Sequence, residues 1–469
     1  MIKKISTQVL VIGGGPSGYS AAFRSSDLGM NTILLERYNQ LGGVCLNVGC
    51  IPSKSLLHIS KIIRENNYLN SIGIFSKRVN FDISNIRKWK NNIINNLNIG
   101  LKNISNYRNI KHIIGTGSFK DSNTVEVINK NKERMEINFE NVIIATGSKS
   151  INMDNISFQD ERIWNSTDAL QLKYIPKKLL IIGSGIIGIE MATVYSSLGS
   201  KVDIFEHQKE IFPYLDKDII NIFTNSNKDY FNFYLNTNVI KIKKEKNIFS
   251  VYSICNNKEK LSQYDAILIA VGRKPEIDNL NLSNVNVQIN DFGYIEVDNQ
   301  LRTNVSNIYA IGDVIGSPML AHKGLYQGKL VSEIIFGHKH YYNPISIPCV
   351  AYTDPEIAWV GVISDNVKDK MNSYKSSIFS WNYLGRALAS SCESGMTKLF
   401  FDKKTNCIVG ACIVGVNAGE LIGEINLAIE MGCTAEDLSL TIHPHPTLSE
   451  SIGLASEVFQ GTVIDILNK

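Results

Sequence analysis

The sequence predicts an α/β protein: two nucleotide-binding units with doubly wound parallel sheets, then a C-terminal α+β part. Three observations predict it. One pattern of apolar strand, glycine turn, helix and second strand occurs twice, starting near residues 9 and 179. Each copy is followed by further apolar strands that end in glycine. From about residue 346 the pattern changes to shorter alternating strands and two helices. With 469 residues, 44% of them hydrophobic, the chain can bury several cores and should divide into domains.

The first copy runs Val9-Leu10-Val11-Ile12, then Gly13-Gly14-Gly15-Pro16-Ser17-Gly18, a helical stretch, and Thr32-Ile33-Leu34-Leu35-Glu36. The second runs Leu179-Leu180-Ile181-Ile182, then Gly183-Ser184-Gly185-Ile186-Ile187-Gly188, a helical stretch, and Lys201-Val202-Asp203-Ile204-Phe205-Glu206. Each is a Rossmann-like G-x-G-x-x-G fingerprint in full context. Gly13 and Gly183 permit the tight turn. Gly15 and Gly185 let the backbone approach a pyrophosphate. Gly18 and Gly188 let helix pack on strand. The helix N-terminus offers free N–H groups to the phosphate, and Glu36 and Glu206 are placed to accept hydrogen bonds from ribose hydroxyls. Two fingerprints imply two dinucleotides, and hence electron transfer between them.

Between them lies Gly42-Gly43-Val44-Cys45-Leu46-Asn47-Val48-Gly49-Cys50-Ile51-Pro52-Ser53-Lys54. Its two cysteines can be read as a redox disulfide or as two buried thiols. Residues five apart on a regular helix have Cα atoms roughly 8 to 9 Å apart. A disulfide needs about 4.4 to 6.8 Å. A Cys45–Cys50 bridge therefore demands a distorted turn, which the glycines and Pro52 make easy. Three more buried strands follow: Val142 to Gly147, Ala266 to Gly272 with Arg273 next, and Ile308 to Gly312 with Asp313 next. The first two close the nucleotide domains. The Gly-Asp end of the third can be read as an ordinary strand–turn or as an Asp that binds the ribityl chain of a flavin.

Composition excludes several classes. A net charge of +4 is too small for this length to imply nucleic acid, and no apolar run is long enough to span a membrane. The N-terminal residues lead straight into the first strand, leaving no room for a signal peptide, so a cytoplasmic protein is expected. Eight scattered cysteines make no secreted framework. Cys407 and Cys412 repeat the spacing of the first pair, but their segment reads as a strand. An offset of five then puts them on opposite faces, and both are expected in the core. No Cys/His set has zinc-site spacing, and no metal is expected. The heavy use of Asn, Ile and Lys carries no function.

These motifs, with the tail His443-Pro444-His445-Pro446-Thr447-Leu448-Ser449-Glu450, give a specific resemblance. The chain resembles the dihydrolipoamide dehydrogenase family of pyridine nucleotide–disulfide oxidoreductases over essentially its whole length. Gly361-Val362, Gly395-Met396-Thr397-Lys398 and Glu430-Met431-Gly432 are similar to the bacterial form. The resemblance implies an FAD domain at 1–150, an NAD domain at 151–276, a central domain completing the FAD site at 277–345, and a dimer-interface domain at 346–469. It implies one non-covalent FAD per subunit and NAD⁺/NADH as substrate. Cys45 and Cys50 would form the redox disulfide. Glu36, Lys54, Gly117, Gly147, Asp313 and Ala321 would contact FAD. Glu206, Val239, Gly272 and Arg273 would line the NAD site. His445 would be the base, in preference to His443, with Glu450 orienting it. Glu190 is a candidate partner for Lys54, or else an ordinary acid in the first helical turn. Val44 departs from the family, where Thr is usual, and puts fine tuning beside the disulfide in question.

The implied activity is reoxidation of protein-bound dihydrolipoamide in 2-oxo acid dehydrogenase complexes. The partners would be a second copy of the chain, lipoyl domains, and the subunit-binding domain of the acyltransferase core. The resemblance leaves open the lipoyl protein of glycine cleavage. Residues 346–469 hold eight Lys and Arg against fourteen Asp and Glu, a net of −6 that leaves about +10 on the rest. An acidic face toward a basic partner domain is one reading, with Glu420, Glu424, Glu430, Glu436 and Asp437 as its candidates. Chance is the other. Two rival functions remain: a reductase running the other way with NADPH, and a non-catalytic FAD-binding scaffold. Glu206 opposes a 2′-phosphate, and the intact cysteines, His445 and Glu450 oppose the scaffold.

Overall fold

The computed structural model describes residues 2–69, 72–75, 79–153, 160–364 and 373–467. The first unit is built from β1 (Lys3–Ile12), α1 (Pro16–Asp27), β2 (Thr32–Glu36), α2 (Gly43–Val48), α3 (Cys50–Leu69), α4 (Ile83–Tyr107), β3 (Lys111–Ile114), β4 (Thr116–Asp121), β5 (Thr124–Ile128) and β6 (Arg134–Ile144). Its sheet has the order β3-β2-β1-β6-β5-β4. β1 lies parallel between β2 and β6, with Val11 opposite Leu34 and Ile143. The run Val9–Ile12 is wholly buried, as a parallel strand covered on both faces must be.

A short ribbon, β7 (Ser148–Ser150), leads into the second unit. This contains β8 (Ile163–Trp164), α5 (Ser166–Gln171), β9 (Lys178–Ile182), α6 (Ile186–Ser197), β10 (Lys201–Phe205), α7 (Lys217–Asn227) and β11 (Phe231–Tyr234). Then come β12 (Thr237–Lys244), β13 (Phe249–Cys255), β14 (Lys258–Tyr264), β15 (Ala266–Ile269) and β16 (Arg273–Pro275). The parallel sheet has the order β11-β10-β9-β15-β8, and β12-β13-β14 form a separate antiparallel sheet. α6 buries every residue from Gly188 to Tyr195. A helix apolar on all sides sits between two layers, and α6 packs on the sheet strands and on α3 of the first unit. β16 pairs antiparallel with β7, so the chain leaves and re-enters the second unit through one ribbon.

β17 (Ile308–Ala310) then joins the first sheet beside β6, although it follows the second unit in sequence. α8 (Ala321–Phe336) packs along α1. The contact is close because Gly324 and Gly328 face Ser17 and Ala21; a Cβ at Gly328 would lie 2.5 Å from the Ser17 carbonyl oxygen.

The last part comprises β18 (Cys349–Ala351), β19 (Glu356–Gly361), β20 (Tyr374–Ser380), α9 (Gly385–Ala389), β21 (Met396–Asp402), β22 (Ile408–Gly415), α10 (Ala418–Met431), α11 (Ala435–Leu440) and α12 (Glu450–Gln460). Its antiparallel sheet has the order β18-β19-β22-β21-β20. α10 covers β19 and β22, and α12 covers β20 and β21. Where the sequence predicts two helices here, the described residues form four: α10 and α12 are the long pair, while α9 and α11 have only 5 and 6 residues. Cys412 is fully buried, as expected. Cys407 is not a core residue: it precedes the strand, half-exposed, with its Sγ 3.5 Å from the Gly432 oxygen. The strand begins one residue late because Asn406 takes a left-handed turn, φ +57°.

Candidate active site

The two fingerprints fold alike. Gly13 and Gly183 have φ +109° and +102°, and a Cβ on either would lie within 2.5 Å of a carbonyl oxygen, Ala145 or Ala270. A Cβ at Gly18 or Gly188 would meet the oxygen of Gly13 or Gly183 at 1.7 or 2.2 Å. The protein itself therefore requires the first and third glycines. The second glycine is different. Nothing lies within 4 Å of a Cβ at Gly185, and at Gly15 only the Gly43 Cα at 3.8 Å. Open space faces these two positions, and each is the N-cap of a 12-residue helix with no side-chain cap and no acid in its first turn. The uncapped N–H groups are donors that suit a phosphate. Beside Gly13, the buried Thr146 Oγ1 has no protein partner. These residues fit a dinucleotide in each unit.

The terminal acids are also equivalent. Glu36 Oε2 accepts from the Gly14 N–H at 2.6 Å, and Oε1 from Tyr38 N–H at 3.0 Å. Glu206 Oε2 accepts from Ser184 N–H at 2.9 Å and Ser184 Oγ at 2.8 Å, and Oε1 from Gln208 N–H at 2.9 Å. Burial alone would raise the Glu206 carboxyl, but these donors outweigh it and hold it below the usual range. Each acid thus fastens its own glycine turn, a role the sequence reading missed. Its signal is the fixed spacing of 22 residues between donor and acid in both copies.

Cys45 and Cys50 come together as free thiols across a helix break. α2 ends at Val48 and α3 begins at Cys50. Gly49 between them has φ −140° and ψ −110°, and its Cβ would lie 2.9 Å from the Val44 oxygen. This is the distorted turn that the spacing demands. The thiols hydrogen-bond to each other and split in acidity. That bond, then burial, drives Cys45 up. The same bond, assisted by Lys54 and opposed by burial and Glu190, brings Cys50 down to about 7. Cys50 is the more acidic thiol of the pair.

Lys54 Nζ donates to both Glu190 oxygens, at 2.9 and 3.1 Å. Glu190 is not a first-turn acid of α6: it is the fifth residue and almost wholly buried. Its Oε1 also accepts from the Tyr352 N–H at 3.1 Å, and the Tyr352 ring lies 4.6 Å from Lys54 Nζ. Tyr352, from the loop after β18, had no sequence signal. Asp313 Oδ2 accepts from Ser148 Oγ at 2.6 Å, and Ser148 accepts from Arg273 at Oγ (2.8 Å) and at its carbonyl (2.6 Å). One serine thus joins residues expected at the two different nucleotide sites.

The other expected residues take plainer places. Gly117 is buried, and a Cβ there would lie 2.6 Å from Leu35 Cδ2. Gly147 (φ +73°) faces open space. Ala321 is the first residue of α8. Val239, on β12, packs against the apolar cluster that includes Ile182 and Phe205. Gly272, φ +128°, follows β15.

His445 is not gathered with these residues. Its ring is 78% exposed, and its Nδ1 lies 2.8 Å from Glu450 Oε1. Glu450 Oε2 is held by the Thr447 N–H at 2.7 Å. His443 differs: its ring is mostly buried, with Nε2 2.7 Å from Glu424 Oε1. Of the two, His445 is the ring open to a substrate.

Two nucleotide cradles beside a polarised dithiol define a redox protein that moves electrons between thiols and a nicotinamide. The chain belongs to the pyridine nucleotide-disulphide oxidoreductase family, whose model matches residues 7–328, with that family's dimerisation domain matching 347–456. It is 54% identical to the dihydrolipoyl dehydrogenase of Buchnera aphidicola subsp. Acyrthosiphon pisum (strain APS), over all of this chain and 99% of the relative. It is 50% identical to the Vibrio cholerae dihydrolipoyl dehydrogenase, over 100% and 98%. Among solved structures, the HOCl-induced flavoprotein disulfide reductase RclA of Escherichia coli matches with a TM-score of 0.85 at 26% identity, covering 96% of this chain and 99% of that one. The chain is an NAD-linked FAD flavoprotein of two Rossmann-like units and a dimerisation domain, and it forms a homodimer. Among the described residues no helix is long and apolar enough to cross a membrane.

Proposed function

We propose that the protein oxidises the dihydrolipoyl groups of 2-oxo acid dehydrogenase complexes, with NAD⁺ as final acceptor. The observation that carries this reading is the Cys45–Cys50 pair brought together at the α2–α3 break, with Lys54 of α3 bonded to Glu190 of the second unit's α6. His445, oriented by Glu450, takes a proton from one substrate thiol. The resulting thiolate attacks Cys45 Sγ of the disulfide, and Cys50 leaves as a thiolate stabilised by Lys54. The second substrate thiol then attacks the sulfur bonded to Cys45. Cyclic lipoyl disulfide departs, and Cys45 keeps a proton. Bound FAD supplies the two-electron relay from this dithiol to NAD⁺. Gly13, Gly15, Gly18, Glu36, Gly117, Gly147, Asp313 and Ala321 hold it in this reading. Gly183, Gly185, Gly188, Glu206, Val239, Gly272 and Arg273 hold NAD⁺. His445 stands apart from the cysteines within its own chain, so it serves those of the other subunit.

We read 1–150 as the FAD domain, 151–276 as the NAD domain, 277–345 as the central domain and 346–469 as the dimer-interface domain. The partners are lipoyl domains and the basic subunit-binding domain of the acyltransferase core, in the cytoplasm. Three of the five acids proposed for that contact have work inside the fold. Glu424 holds His443, Glu430 caps the Ile345 and Ser346 N–H groups, and Asp437 caps α11 through Thr434. Glu420 and Glu436, both exposed, remain for a partner. The deciding assay compares NAD⁺ reduction by dihydrolipoamide with NADPH oxidation by glutathione disulfide. Turnover in the first alone is expected. Turnover in the second alone would replace this reading with the reductase, and none in either with the scaffold.

A further inference from the structure

The sequence offers no metal-site spacing, yet the fold gathers three ligand types at the far end of α8. Glu333, His338 and His340 present ligand atoms all within 4.8 Å of one another. Glu333 lies twelve residues, roughly 18 Å of helix, from Ala321 at the flavin end. We propose that these three residues form a binding site for a divalent transition metal of the zinc or copper class, outside the redox centre.

The carboxylate is already oriented. Arg24 donates to Glu333 Oε1 through Nε at 2.9 Å and Nη2 at 2.6 Å, which leaves Oε2 for a second partner. That partner is His340 Nδ1, at 3.0 Å. Two ligands at about 2.0–2.1 Å from a tetrahedral ion stand about 3.3 Å apart, so this pair needs little movement to share one. The histidines are also placed by backbone. Gly337 ends the helix with φ +113°, and the His338 N–H bonds back to the Glu333 oxygen at 2.9 Å. His340 N–H bonds to the His338 oxygen at 3.0 Å, and Gln300 Nε2 to the His340 oxygen at 3.2 Å. The His338 ring stands edge-on between Phe336 and His340, centroids 5.6 and 5.4 Å away.

The donor set selects the ion. Two imidazoles and one carboxylate suit zinc, copper, nickel or cobalt, whereas magnesium and calcium prefer all-oxygen sites. Arg24 and Lys339 put positive charge nearby, so coordination by neutral imidazole must supply the affinity. Arg24 acts as the outer partner that fixes a ligand's direction. An ion here would tie the end of α8 to the turn that follows it. Because the unfolded chain lacks the site, binding would stabilise the fold.

The test uses the full-length flavoprotein in its disulfide form, which keeps Cys45 and Cys50 out of the titration. Zinc chloride in a non-chelating buffer should bind with one tight site per chain by calorimetry and raise Tm. The His338→Ala/His340→Ala variant should bind at least about tenfold more weakly and lose the zinc-dependent rise, with its zinc-free Tm unchanged. Arg24→Ala, which keeps all three ligands, should weaken binding by about tenfold. If the double variant fails to fold, His338→Gln with Cu²⁺ carries the test: the paramagnetic resonance spectrum should show one coordinated imidazole fewer than wild type. Absence of zinc binding by the wild-type protein, an unchanged titration in the double variant, or an unchanged copper spectrum in His338→Gln would each overturn the site.

Discussion

Cys50 sits between one cation and one anion that act on it in opposite senses. Lys54 lowers its pKa, and Glu190, paired with Lys54, raises it. Two substitutions should therefore move it in opposite directions. In the reduced protein the thiolate is present above about pH 7 and is lost as pH falls through that value. Lys54→Met should shift this midpoint upward. Glu190→Gln should shift it downward, because the cation stays while the opposing charge goes. Ultraviolet thiolate absorbance, titrated against a Cys50→Ser control, reads both. A common direction for the two variants would refute the charge account. A one-unit shift would correspond to about 1.4 kcal/mol between the two protonation states.

At the scale of elements, the decisive feature is the single residue separating α2 from α3. Gly49→Ala would push a methyl group to 2.9 Å from the Val44 oxygen. We expect a loss of about 1–3 kcal/mol in denaturant unfolding, as for other overpacked positions, with a slower reaction of substrate thiols at the disulfide. Unchanged values for both would show that the break survives without glycine. The strand–turn–helix of the second unit has its own decisive acid. Glu206→Arg removes the carboxylate that would repel a 2′-phosphate, and preference should move from NAD⁺ toward NADP⁺ by at least about tenfold in the kcat/KM ratio. Because Glu206 also fastens Ser184, total turnover should fall as well. An unmoved cofactor ratio would remove Glu206 from the specificity role.

At the scale of the molecule, the groups proposed for catalysis are divided between distant parts of the chain. A Cys45→Ser chain mixed with a His445→Gln chain should regain activity, because one of the two sites in the heterodimer is complete. Purified heterodimers as inactive as either parent would place base and thiols in the same subunit. Association with a basic acyltransferase domain should slow as salt rises. Replacing only Glu420 and Glu436, both exposed, with Gln should slow it further. Stopped-flow association rates indifferent to salt and to both replacements would leave apolar contact, such as the exposed Leu427 and Met431 of α10, to explain binding.

The sequence alone determined the fold class, the two glycine turns and the need for a distorted turn between Cys45 and Cys50. These are legible because they are local: a turn or a spacing declares itself within a few residues. Four further features were decided only in three dimensions. Tyr352 and Ser148 carry no motif, and their roles arise because the loop after β18 and the β7 ribbon meet residues far along the chain. For Glu190 the sequence left two readings, a partner for Lys54 or an ordinary first-turn acid, and the layer between α3 and α6 decides for the buried pair with Lys54. Three of the acids named as candidates for a partner surface also serve as caps or as the partner of His443, because net charge counts residues without saying what they face. The Glu333, His338 and His340 cluster is invisible to motif spacing because a helix end and a left-handed glycine bring its ligands together. Sequence fixes local conformation through sterics and periodicity, while charge pairing and ligand geometry depend on which distant backbones the packed core brings into reach.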